Sequence, residues 1–257
     1  MSYDVTGALE LSDFQPDANS LFVLLDGLTD RPGESVTIED PDAPGRLVSV
    51  RAVDARRFDV RWRDGSADAV DLLLAHQLLL RFTTKQALGE PRPSAEIEVD
   101  YALTGLSITN AMLDRVKRRQ PAGAPGVRWN GHNVVQGDIW KPVSGRQLLT
   151  VEFESWNPDL RHGVWVSLPE AVLWPEPGAT TVAAEADVEN AALRVTNVYE
   201  VGGARWSRID RWSENAGMLV DAIAPETRRY RCSHYASNPP NFDDLVFTVT
   251  QVVGPSV

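Results

Sequence analysis

Polar and apolar residues alternate with a period of two along most of this chain, the pattern of strands that bury one face. Phe58, Val60 and Trp62 alternate with Arg57, Asp59, Arg61 and Arg63, and the run stops at Asp64-Gly65. Leu47 to Val53 alternates in the same way, and Ser35-Val-Thr-Ile38 precedes it across a turn at Pro41–Gly45. Residues 35–65 are therefore predicted to form a three-stranded meander. Before it lies a short apolar run, Leu21–Leu25, closed by Asp26-Gly27. After it the period changes. Val70, Leu72–Leu74 and Leu78–Leu80 suit a helix over residues 67–82, with Ser66 as N-cap and Asp68 and Asp71 in the first turn. A buried strand pair broken at His76 is the alternative. The clearest helix is Leu106–Arg119. Ile108, Met112 and Val116 fall four apart there, with Leu113 beside them. Ser107 or Thr109 caps its start, and Arg115, Lys117, Arg118 and Arg119 complement the dipole at its end.

Beyond Pro125 the period of two returns. Asn130-Gly131, between Val127–Trp129 and Asn133–Trp140, is the strongest short hairpin signal. Ile97–Tyr101, Gln147–Trp156, Val164–Leu168, Leu193–Val201 and Leu245–Val253 read as further strands, and Arg211–Ile223 has room for a short helix. The expected fold class is α+β, mostly β. It comprises a small N-terminal β module and a larger antiparallel β-sandwich or barrel with one or two helices. Gly89, Pro91 and Pro93 interrupt regular structure within residues 86–95. The boundary is placed there, giving an acidic β-rich module over 1–90 and a Trp-rich sandwich-like domain over 91–257. Val60-Arg-Trp-Arg-Asp-Gly65 is similar to the strand and turn of small SH3- or Tudor-type barrels, and such a barrel would fit residues 21–82.

Composition narrows the class of protein. The chain has 257 residues, a net charge of -11 and a single cysteine, Cys232. One cysteine excludes an internal disulfide and any zinc site built on two thiolates. No apolar run approaches the roughly 20 residues of a membrane-spanning helix. The N-terminal run has neither the basic nor the apolar region of a signal peptide, so a cytoplasmic location is expected. Charge is uneven, with 19 acidic against 10 basic residues in 1–100 and 17 against 15 in 101–257. An acidic chain argues against nucleic-acid binding, in spite of Arg115–Arg119 and Arg228-Arg-Tyr-Arg231. The sequence has no glycine-rich nucleotide loop, His-Glu-x-x-His or Gly-x-Ser-x-Gly, which argues against the common nucleotide-binding, zincin and α/β-hydrolase classes.

Four groups of residues remain as candidates for chemistry. His132, His162 and His234 sit in loop-like contexts and, with Cys232 as a fourth ligand, could hold a transition metal. Glu152 and Glu154, two apart on a predicted strand, project from one face about 7 Å apart. Together with His132 and His162 they are the candidate catalytic groups of a glycan-active enzyme. Asp243 and Asp244 stand at a strand entrance beside Asn241, where they could cup Ca²⁺, although turn chemistry explains them as well. Trp156, Trp174, Trp206 and Trp212 end strands or lie beside arginines, where indoles stack on sugars, anchor protein partners or cage cations.

With no strong catalytic motif, the expected function is non-catalytic binding through a Trp-rich β surface. The acidic N-terminal region would steer a basic protein partner, and the Trp-rich part would suit a carbohydrate. The alternatives are an enzyme with a dispersed Glu/His site and a structural subunit of a larger assembly. The enzyme would be a glycan-active hydrolase or lyase, or a metal-dependent oxidoreductase.

Overall fold

The computed structural model describes residues 3–8, 11–86, 88, 99–117, 126–140, 145–167, 170–177, 179–186, 192–203 and 206–253. The fold is α+β and mostly β, with antiparallel sheets and, among the described residues, three α-helices. It divides into two compact units, residues 1–122 and 123–257. The division falls beyond residues 86–95, most of which lie outside the described residues. The helix after that segment is tied into the first unit, because Asn19 Oδ1 accepts from Ser107 N at 2.8 Å and from Asn110 Nδ2 at 2.9 Å. Counted by these units, charge is 20 acidic against 14 basic residues and 16 against 11. The unevenness between the halves disappears, because the basic end of that helix belongs to the first unit.

The first unit holds β1 (Tyr3–Gly7), β2 (Leu11–Phe14), α1 (Ala18–Thr29), β3 (Ser35–Glu39), β4 (Leu47–Ala52), β5 (Arg57–Trp62), β6 (Gly65–Asp71), α2 (Leu72–Thr83) and α3 (Ile108–Lys117). Its sheet runs β2-β1-β3-β4-β5-β6. The predicted meander is β3–β5, and β6 extends it across Asp64-Gly65. Gly65 is required there, since a Cβ would lie 2.6 Å from the Trp62 indole. Leu21–Leu25 lies in α1, which packs on α2. The sheet keeps two separate edges, β2 and β6, so among the described residues it is an open sheet with helices rather than a closed SH3-type barrel.

Two helices differ from their sequence patterns for local reasons. The helix expected from Ser66 starts at Asp71 instead. Residues 65–71 are recruited by β5 as a strand, and Asp71 Oδ1 then caps α2 by accepting from Leu74 N at 2.9 Å. α3 buries Ile108, Ala111 and Asp114 and leaves Val116 exposed. A bond from Tyr101 Oη to Asp114 Oδ2, 2.6 Å long, holds that carboxylate on the inner face, so the helix is rotated away from the Ile108–Met112–Val116 stripe.

His76 on α2 is fully buried, with Nε2 donating to Ala18 O at 2.7 Å and the ring edge-on to Phe22. Burial pushes its pKa from 6.5 down to about 4. Between those values the unfolded chain binds a proton that the folded chain refuses, so stability falls as pH falls through the window. The slope from this one group is about 1.4 kcal/mol per pH unit. Hydrogen exchange of the slowest α2 amides should therefore report roughly 2 kcal/mol less protection at pH 5 than at pH 7. The difference should shrink in His76→Gln.

The second unit opens with a hairpin of β7 (Val127–Trp129) and β8 (His132–Val134). Asn130 and Gly131 have φ of 48° and 78°, as a two-residue primed turn demands. Next come β9 (Asp138–Trp140), β10 (Gly145–Trp156), β11 (His162–Ser167), β12 (Glu170–Leu173), β13 (Ala179–Ala186), β14 (Leu193–Gly203), β15 (Trp206–Asp210), β16 (Gly217–Ala224), β17 (Thr227–Ser233) and β18 (Leu245–Val253). One sheet runs β13-β10-β18-β17-β16, and a second runs β12-β11-β14-β15 with β9 also on β14. Arg211–Ile223 is a loop leading into β16, not a helix, because residues from Gly217 onward pair with β17. Leu149, Val151, Phe153, Phe247 and Val249 of the first sheet share one core with Val164, Val166, Leu193 and Val195 of the second. Asp138 on β9 reaches across this sandwich. It accepts from Arg228 Nη1 at 2.6 and 2.7 Å and from Tyr230 Oη at 2.8 Å.

Candidate functional site

The apolar interior of the second unit gives way to a buried polar cluster where β11 begins. His162 and Asn197 are 1% exposed and His234 is 4% exposed. His162 and Asn197 share the inward phase of Val164 and Val195 on their strands, so the pleat forces them into the sandwich. Asn197 Nδ2 donates to His162 Nε2 at 3.2 Å and to Ser233 O at 3.1 Å. His162 Nε2 is thus the acceptor, and the proton of the neutral ring sits on Nδ1. His234 Nδ1 accepts from Ala236 N at 3.2 Å, which puts its proton on Nε2. Among the described residues, His162 Nδ1, His234 Nε2 and Asn197 Oδ1 have no hydrogen-bond partner. The two imidazoles meet edge-on with centroids 5.3 Å apart, and Tyr199 and Tyr235 pack on His234.

Both rings are held neutral. Burial pushes His162 down to about 3, and the nearby His234 adds to the effect. Burial also lowers His234, against the opposing pull of the Asp244 carboxylate. A metal needs an imidazole lone pair, and here both lone pairs already accept N–H bonds. His132, the third histidine of the expected set, lies exposed on the β7–β8 hairpin. Among the described residues no three His, Cys, Asp or Glu side chains are grouped to hold a metal ion. Cys232 is fully buried in the core, where burial raises its thiol well above the usual range.

The acidic candidates separate in the same way. Glu152 and Glu154 do project from one face, the outer face of the first sheet, between the inward Val151 and Phe153. Glu154 accepts from Arg229 Nε at 2.9 and 3.0 Å and from Thr248 Oγ1 at 2.7 Å. The Arg229 guanidinium, chiefly, holds its carboxyl below the usual range. A general acid of a glycosidase needs the opposite shift. Asp243 and Asp244 diverge. Asp243 turns outward to Arg231 Nη2 at 2.7 Å. Asp244 turns inward, accepting from His234 N at 3.1 Å, from Asn241 Nδ2 at 2.8 Å and from Ser237 Oγ. It organises the 234–244 loop, and the two carboxylates do not face a common point for Ca²⁺.

The tryptophans are organised by arginines. Trp165 on β11 and Trp212 after β15 flank Arg211, whose guanidinium lies 4.8 and 4.7 Å from their rings. Trp212 is 46% exposed and donates from Nε1 to Gln136 O at 2.7 Å. Trp174 covers Gly163, where any Cβ would lie 2.7 Å from the indole, and Arg161 stacks on its ring at 4.3 Å. Trp165 and Gly163 are two apart on β11, so these stacks share the outer face of the second sheet. Next to Arg161 is a crevice of about 260 Å³ walled by Trp156, Pro158, Asp159, His162 and Pro175. Trp206 is in β15, with its side chain outside the described residues. A larger depression of about 1060 Å³ lies in the first unit, between the turns at 43–47 and 62–66. Its Arg46 is already engaged by Asp40 and the Phe82 ring.

Sequence reasoning missed Trp165, Arg161, Arg211 and Asn197 as site residues. For Asn197 the signal was present: a carboxamide in phase with Val195 on an alternating strand. The arginines gave none, since guanidinium stacking depends on chain segments distant in sequence. No protein-family model and no curated protein matches this chain. The site geometry makes a stability prediction. Asp244→Ala should lower urea-unfolding stability by about 2–4 kcal/mol, because bonds to a buried charge are lost together. Asp243→Ala, removing an exposed pair, should cost less than about 1 kcal/mol.

Proposed function

We propose that this protein is a non-catalytic binding protein whose contact surface is the outer face of the second sheet of its second unit. The observation that carries this reading is the set of indole–guanidinium stacks formed by Trp165, Trp174 and Trp212 with Arg161 and Arg211. Tryptophan and arginine supply a large share of binding energy at contact surfaces. Rings already stacked lose little further freedom when a ligand arrives. The outer face of the first sheet contrasts with it, since its charges close on one another in the Glu154–Arg229 and Asp243–Arg231 pairs. The acid–base candidates favour binding as well: Glu154 is held ionised and both buried histidines are held neutral. Even charge between the two units gives no special steering role to the first, so recognition rests on the aromatic face. The ligand class is a carbohydrate or a protein surface.

The test uses the whole chain on glycan and protein arrays, with Trp212→Ala and Arg211→Ala beside Glu154→Gln as the opposite-face control. Ligands kept by the wild type and Glu154→Gln should weaken at least about tenfold in the two aromatic-face variants. Arrays on which no ligand separates the two faces would overturn the reading.

A further inference from the structure

We propose that the crevice beside Arg161 holds one pyranose ring of a glycan. The proposal rests on the binding function of the adjacent face and names its ligand class. Arg161 joins the two places, because its guanidinium stacks on Trp174 of the face while the residue lines the crevice. The volume of about 260 Å³ is just under the roughly 300–1,000 Å³ of drug-sized sites, room for one six-membered ring. Trp156 and two prolines, Pro158 and Pro175, provide apolar walls for the C–H faces of such a ring.

The polar groups match hydroxyls rather than an anion. The Asp159 carboxylate has no partner among the described residues and accepts from a hydroxyl. Arg161 spends Nε on Glu200 at 3.2 Å, leaving its terminal nitrogens to donate. Glu200 already offsets the charge of Arg161, so Asp159 stands as the uncompensated charge of the crevice and disfavours an anion. His162 lies behind the crevice, 1% exposed, with its Nδ1 closed to solvent, so the polar contacts to a ligand come from Asp159 and Arg161. Alternating donors and acceptors around an apolar ring face are the chemistry of a pyranose, and a carboxylate ligand would meet Asp159.

Saturation-transfer NMR on the whole chain tests this with the methyl glycosides of glucose, galactose, mannose and N-acetylglucosamine, and with sodium benzoate as the anionic ring. Transfer to the ring C–H protons of at least one glycoside is expected, with a Kd on the order of millimolar for a ligand of a dozen heavy atoms. Trp156→Ala and Asp159→Asn should weaken it at least about tenfold. Asp159 is exposed, so its variant keeps the fold even if Trp156→Ala does not. Glu154→Gln, on the outer face of the other sheet, should leave the glycoside signal in place, and the array result with Trp212→Ala reads the aromatic face separately, so failure of this proposal and failure of the binding function are told apart. Silence from all four glycosides, a signal unchanged in Asp159→Asn, or transfer to benzoate alone would overturn the proposal.

Discussion

A polar group pointed into a sandwich is costly unless the protein itself pairs it, since an unpaired amide costs on the order of 1–3 kcal/mol. The carboxamide nitrogen of Asn197 is the group that meets this constraint between the two sheets of the second unit. It bonds His162 on the neighbouring strand and the Ser233 carbonyl on the opposite sheet. One side chain thereby ties the two sheets together and selects the tautomer of His162, which closes its lone pair to a metal.

The two outer faces of the sandwich solve a different problem in different ways. On the first sheet, cross-strand ion pairs such as Glu154–Arg229 cover the pleat and neutralise themselves. On the second sheet, arginines lie flat on indoles, so charge and apolar area are presented together. Gly163 makes this arrangement feasible by letting Trp174 lie directly on the β11 backbone. A substituted residue there would lift the ring and break the continuity between the aromatic face and the crevice.

Strand periodicity was the most legible feature of the chain. The 35–65 meander, the Asn130-Gly131 hairpin and the long strands near 147–156 and 245–253 all stand where alternation places them. Helices were less legible, because a helix start depends on whether an earlier segment is taken up by a sheet. Residues 65–71 pair with β5, and the N-cap moves from Ser66 to Asp71. For α3, a single buried phenol–carboxylate bond outweighs the apolar stripe and sets which side faces inward.

The sequence by itself determined the mostly β class, the alternation of the meander and of the long strands near 147–156 and 245–253, and the exclusion of disulfides and thiolate zinc sites. Those properties depend on neighbours along the chain or on composition. Only the tertiary structure decided which candidates meet. It brought His162 and His234 together and left His132 apart, drew Asp244 inward while Asp243 turned out, and set Arg161 and Arg211 on rings distant in sequence. Such encounters depend on sheet order and loop path, and spacing along a chain carries neither.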